Sequence, residues 1–232
     1  MAVVCKENIA IIYEDNHLIA VNKVSGAIVQ GDKTGDMPLS EMVKSYLKER
    51  YQKPGDVYLG VTHRLDRPVS GVVLFAKTSK ALTRTNQLFR DRHMTKVYWA
   101  VVRERPPQSE GTLVHWLVKN EQKNITKAFS EQRENALHAE LSYRVLMEKD
   151  GYFLLEVSPI TGRPHQIRVQ LASMGCPIVG DNKYGYPRAN RDRSICLHAR
   201  SLGFVHPVKQ ASILLVAELP RDDFWAKFSS CF

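Results

Sequence analysis

The chain has 232 residues, 44% hydrophobic and 25% charged, which excludes a disordered or collagen-like polymer and suits one globular body with a sizeable core. Its 33 Lys and Arg outnumber 24 Asp and Glu for a formal charge of +9, a surplus that favours a polyanionic partner through phosphate neutralisation, or is a solvated basic surface. No apolar run approaches the ~20 residues of a membrane-spanning helix, the first residues lack a leader's apolar stretch, and Cys5, Cys176, Cys196 and Cys231 have no zinc-ligand spacing. The expectation is a cytoplasmic protein with reduced thiols and no membrane partner.

Two apolar runs open the chain, Ile9 to Tyr13 and Leu18 to Val21, separated by the turn sequence Glu14-Asp15-Asn16; they predict a β-hairpin. Leu39, Met42, Val43, Tyr46 and Leu47 recur at helical spacing. Val72 to Ala76 reads as a continuous apolar strand, and a second helix runs from Ser79 to about Arg92. That helix carries Lys80, Arg84, Arg90 and Arg92, a candidate phosphate-facing element. Val97 to Val102 is another strand, and the polar stretch Asn120 to Asn135 is expected as a surface excursion.

Leu137 to Met147 and Phe153 to Val157 are predicted strands joined across Asp150-Gly151, a pair suited to a tight turn with positive φ. A third helix is expected over Pro164 to Met174, with Pro in its first turn, Gly175 as its stop, and Ile167, Leu171 and Met174 as its buried stripe. Strands near Ile195 to Val205 and Ser212 to Ala217 precede an aromatic tail of Phe224, Trp225 and Phe228. With no repeat or linker, residues 1–232 read as a single α+β domain: a large, mostly antiparallel mixed sheet flanked by helices and loops.

Three segments carry chemistry. His63-Arg64-Leu65-Asp66-Arg67-Pro68-Val69-Ser70-Gly71 places an acid between two arginines just before an apolar strand. It reads as a loop carboxylate satisfied by turn amides, or as one held ionised by nearby positive charge and poised as nucleophile or base. In the second segment Arg163, His165, Gln166 and Arg168 crowd a helix N-terminus, where exposed amides favour anions. In the third, Lys96-Val97-Tyr98-Trp99-Ala100, strand geometry puts Tyr98 on the face of Lys96 and Ala100, a core position or a ring offered to a ligand.

Together these segments resemble one family. H-R-L-D-x-x-x-S-G followed by an apolar strand is similar to the catalytic motif of RluA-type pseudouridine synthases. Lys96 to Ala100 resembles their tyrosine motif, and Gly162 to Asp181 with Tyr184-Gly185 resembles their long arginine motif. Leu197-His198-Ala199-Arg200 resembles the closing segment, and Tyr13-Glu14-Asp15 through Asn22-Lys23 the opening hairpin. There are departures: Lys23-Val24-Ser25-Gly26 stands for the usual K-P-x-G, Val69 for Thr, and Gln170 for His. No S4-type RNA-binding module is expected before the catalytic domain.

The resemblance implies an isomerase that detaches uracil at the N1–C1′ bond of a uridine in RNA, rotates it and rejoins it through C5. Asp66 is implied as the essential carboxylate, attacking C1′ or removing a proton at C2′, with Arg168 paired to it. Tyr98 is implied as the ring that stacks on uracil or assists removal of the C5 proton, and Ile178 as a pocket wall. Arg64 is implied to enter the space of the flipped base, a role that suits a planar guanidinium. His63, Arg67, Arg163, His165 and Gln166 are expected at the RNA. The implied partner is ribosomal or transfer RNA, read at a structured stem-loop by a monomer without cofactor or metal. A non-catalytic RNA-binding protein and a base-releasing glycosylase are the rival readings.

Overall fold

A computed structural model describes residues 9–229. These residues fall into two compact units, 9–95 with 199–220 and 96–198 with 221–229. The expected α+β class holds, and every strand register below is antiparallel.

In the first unit, β1 (Ala10–Glu14) pairs with β2 (Leu18–Lys23). The turn between them is closed by the Asp15 carboxylate, which accepts the backbone N–H groups of His17 and Leu18 at 2.8 and 2.7 Å. Strand β2 in turn pairs with β4 (Ser70–Ala76), from Leu18 opposite Ala76 to Lys23 opposite Gly71. Leu18 to Val21 of β2 and Val72 to Ala76 of β4 are apolar without alternation and β4 is buried along its whole length, as a strand covered on both faces requires. The short β3 (Gly60–Val61) joins the end of β4.

Helix α1 (Leu39–Arg50) buries Leu39, Met42, Val43 and Leu47, as its spacing predicts. Helix α2 (Ser79–Arg90) is capped by Thr78, whose hydroxyl accepts the N–H of Ala81. Its inner residues pack with Leu18, Leu74, Phe204 and Leu215 in one core.

The second unit has strand order β5-β9-β8-β6-β7, made from β5 (Thr95–Val102), β6 (Glu110–Asn120), β7 (Ile125–Phe129), β8 (Leu137–Lys149) and β9 (Tyr152–Pro159). Asp150 and Gly151 have φ of 53° and 72°, the double positive φ expected of a two-residue hairpin turn. The stretch Asn120 to Asn135 is more ordered than its polarity predicts, since it contains β7, which hydrogen-bonds along β6. Ladder bonds there do not depend on a hydrophobic side-chain pattern.

Helix α3 (Gln166–Ser173) also departs from expectation. It starts two residues after Pro164, because His165 takes a left-handed conformation (φ 56°) as its N-cap. Gln166 through Leu171 are all buried and Met174 is only half-buried, so the helix is enclosed nearly all round rather than along one stripe. Strands β10 (Leu197–Val205) and β11 (Ser212–Val216) pair as a hairpin. Helix α4 (Asp223–Ser229) buries Trp225 and Phe228. Cys176 and Cys196 are buried free thiols, pushed by burial up to about 11 and about 12, which makes them inert; Cys5 and Cys231 lie outside the described residues. Among the described residues no helix is long and apolar enough to cross a membrane.

Candidate active site

Asp66 sits half-buried in the loop between β3 and β4. Its carbonyl accepts the N–H of Val69 at 3.0 Å, closing a turn over Arg67-Pro68. The carbonyls beyond it converge on one cation. Lys23 is 1% exposed, and its ammonium donates to the carbonyl oxygens of Val69 at 2.6 Å, Arg67 at 3.1 Å and Val24 at 3.1 Å. The Arg67 carbonyl also accepts the N–H of Gly26 at 2.8 Å.

Burial pulls the Lys23 ammonium down to about 7, against the charge of Asp66, which favours the protonated form. The loop is fixed on its other side by Gly71, with φ at 117° and an added Cβ only 2.3 Å from the Ala199 carbonyl oxygen. No other residue fits where β10 passes so close. Asp66 is thus carried on a backbone with little freedom to shift.

The neighbours expected at the RNA are differently placed. Arg64 is exposed and, among the described residues, makes no hydrogen bond or ion pair. His63 uses Nε2 to accept the N–H of Leu74 at 3.0 Å and lies against Phe89. The Arg67 guanidinium meets Asp36 at 2.6 Å, Asp32 at 3.3 Å and the Thr34 hydroxyl at 2.7 Å, binding the exposed loop of residues 31–37 to the Asp66 loop. Those bonds raise the pKa of Arg67, that to Asp36 most.

In the second unit the arginine segment forms an internal network. Gln166 accepts from the Thr161 hydroxyl and the Arg163 N–H and donates to the Glu140 carbonyl. Arg163 donates through Nε to the His138 carbonyl. The His165 ring meets the Tyr184 hydroxyl at 2.6 Å, and that hydroxyl also accepts the Thr126 N–H at 2.8 Å. Burial raises the Tyr184 pKa and keeps it a neutral phenol.

Arg168, 5% exposed, gives Nε and Nη2 to the two oxygens of Asp181 at 2.7 and 2.9 Å, and its guanidinium lies 5.0 Å from the Tyr184 ring centre. Tyr98 is half-buried on β5 opposite Val157, and Ile178 is fully buried in a bridge to Val102 at the far end of that strand. At the start of α3, Gln166 and Arg168 are buried while Arg163 and His165 stay half-exposed.

Lys23, Asp181 and Tyr184 carry site geometry to which the sequence assigned no role. The available signal for Lys23 was a cation closing a strand that opens with four apolar residues.

The first unit offers a positioned carboxylate with an unengaged guanidinium beside it in sequence, and the second offers a buried fork-held arginine. The chain matches the family model described as RNA pseudouridylate synthase over residues 17–173. It is 32% identical to tRNA pseudouridine synthase C of Vibrio cholerae, over 96% of this chain and 95% of that one. It is 33% identical to ribosomal large subunit pseudouridine synthase C of Rickettsia felis, over 95% of this chain and 70% of that one. The solved structure of human RNA pseudouridylate synthase domain containing 4 is similar with a TM-score of 0.78 and 28% identity, covering 94% of this chain and 90% of that one.

Proposed function

We propose, from the premise that this chain belongs to the RluA-type RNA pseudouridylate synthase family and is an isomerase acting on RNA, that Asp66 is its catalytic carboxylate. The observation that supports this best is the clamp on the Asp66 loop, with three carbonyls on the buried Lys23 ammonium and Gly71 wedged against Ala199. A nucleophile or base gains most from being held in its attack geometry before substrate arrives. Asp66 acts at C1′, or at C2′ as a base. The N1–C1′ bond breaks, C5 bonds to C1′, the C5 proton leaves to solvent and N1 regains one.

Arg168 pairs with Asp66 and orients it through charge-assisted hydrogen bonds. Tyr98 stacks on the uracil, and Ile178 helps keep water from C1′, where it would release the base. Arg64 fills the gap left by the flipped nucleotide, whose unstacking costs a few kcal/mol. His63, Arg67, Arg163, His165 and Gln166 shape the surface that RNA meets, directly or through the loops they hold. Transfer RNA and ribosomal RNA, the substrates in the relatives' names, are the RNA classes to expect, with the uridine in a structured stem-loop. The chain acts as a single catalytic domain and a monomer.

The test uses RNA labelled with tritium at uridine C5, from cells lacking this gene, incubated with wild type or Asp66→Asn. Tritium release by wild type alone supports the reading. Equal release by Asp66→Asn removes Asp66 from the chemistry, free uracil marks a glycosylase, and tight binding without release marks a non-catalytic protein.

A further inference from the structure

We infer that a cleft at the C-terminal end of α2 holds a nucleotide of the substrate RNA outside the target uridine, with Arg84 and Arg92 neutralising the phosphates beside it. This rests on RNA being the substrate and not on which residue performs the chemistry. The cleft, of about 320 Å³, lies within the first unit. Leu88 and His93 line it from the end of α2, and Val205, Pro207 and Gln210 from the turn between β10 and β11. Its volume is at the lower end of small-ligand pockets, a size that suits one nucleotide. Leu88, Val205 and Pro207 give apolar walls. The His93 ring and the Gln210 amide offer the flat surface and the paired donor and acceptor by which unstacked bases are held.

The charge around the cleft is one-sided. Lys80, Arg84, Arg90 and Arg92 are all exposed, and among the described residues none of them meets a carboxylate. The one acid in this stretch, Asp91, accepts the Gln87 amide at 2.8 and 2.7 Å. Lys80, Arg84 and Leu88 are four residues apart and so lie along one side of the helix. Arg84 reaches the Pro207 carbonyl with Nη1 at 3.5 Å, which puts its charge at the cleft. Phe89 has its ring centre 5.1 Å from that of His63, so this end of α2 borders the segment that runs into Arg64 and Asp66.

Arg92 separates a binding face from an ordinary solvated one. Helix α2 closes with the Arg92 N–H on the Phe89 carbonyl at 3.3 Å and the His93 N–H on the Leu88 carbonyl at 2.9 Å. In such a helix stop the left-handed residue is usually glycine. Here it is Arg92, with φ of 60°. A side chain at that position costs stability, and what it adds is a cation next to the cleft.

The experiment measures binding of bulk transfer RNA and ribosomal RNA, from cells lacking this gene, at several salt concentrations. It compares wild type with Arg92→Gly, Arg84→Gln, Val205→Glu and a control on α1, Lys44→Gln. Arg92→Gly is expected to be at least as stable to heat as wild type, because glycine takes the left-handed position freely. It is nevertheless expected to bind RNA about 3- to 10-fold more weakly at ~0.15 M salt. The slope of log affinity against log salt is expected to shrink by about one for Arg92→Gly and for Arg84→Gln, as for one lost phosphate contact each. Val205→Glu, which puts a negative charge in the cleft, is expected to weaken binding at least about 10-fold. Lys44→Gln is expected to stay within about twofold of wild type.

Wild-type affinity and slope in Arg92→Gly overturn the inference. So does an equal loss in Lys44→Gln, which would make the effect one of net charge alone, and so does wild-type binding by Val205→Glu. A wild-type protein that binds RNA but releases no tritium from uridine C5 removes the catalytic reading and leaves the inference to these slopes. Absence of RNA binding by wild type overturns both.

Discussion

The loop that carries Asp66 and the helix that carries Arg168 are immobilised by opposite means. The loop is held at its backbone by one buried cation, Lys23, collecting carbonyls from residues 24, 67 and 69. The helix is enclosed by protein, and its polar residues, Gln166, Arg168 and His165, are each bonded side chain to side chain. A loop has unpaired carbonyls that attract an ammonium; a helix has already used its carbonyls, so only side-chain pairing remains. The two arginines beside these elements repeat the contrast. Arg67 meets its carboxylates at the surface, with 37% of its side chain exposed, while Arg168 meets Asp181 in the interior with 6% exposed.

The sharpest way to break this comparison is at the buried pair. Arg168→Met leaves the Asp181 carboxylate unpaired in the interior and is expected to destabilise the protein by about 3–5 kcal/mol in urea unfolding. A loss below about 1 kcal/mol would show the pair to be as solvated as a surface one.

Lys23 gives the next effect. Folded Lys23 binds its proton only below about 7, against an ordinary value of 10.5. Between those limits unfolding takes up a proton, so stability rises with pH. Relative to Lys23→Met, wild type is expected to gain stability at about 1.4 kcal/mol per pH unit above neutrality. Parallel stability curves for the two proteins between pH 7 and pH 9 would show that Lys23 stays charged in its clamp.

The smallest effect belongs to Arg67→Gln. Exposed ion pairs contribute little and are screened by salt, so the unfolding midpoint is expected to match wild type at moderate ionic strength. A clear loss would place Arg67 with Arg168 rather than opposite it.

Much of this molecule was readable from local pattern. The opening hairpin, α1, α2, β4 and the Asp150-Gly151 turn all follow from spacing and turn chemistry between residues close in sequence. Strand β7 was hidden because its ladder partner, not its own composition, makes it a strand. The start of α3 was misplaced because His165 adopts a left-handed conformation that is tied down through Tyr184, 19 residues away. For the polar residues of the arginine segment, sequence gives the types and not the partners, such as Thr161 for Gln166 and Asp181 for Arg168.

Sequence alone determined the family, through motifs whose order and spacing run along nearly the whole chain, and it named the carboxylate and the arginine on which the proposed chemistry depends. Only the tertiary structure decided how those groups are held. Lys23 meets the Val69 carbonyl across 46 residues, and Arg168 meets Asp181 across 13. A charge is worth burying only where distant partners converge on it, and that convergence belongs to the folded chain rather than to any segment of it.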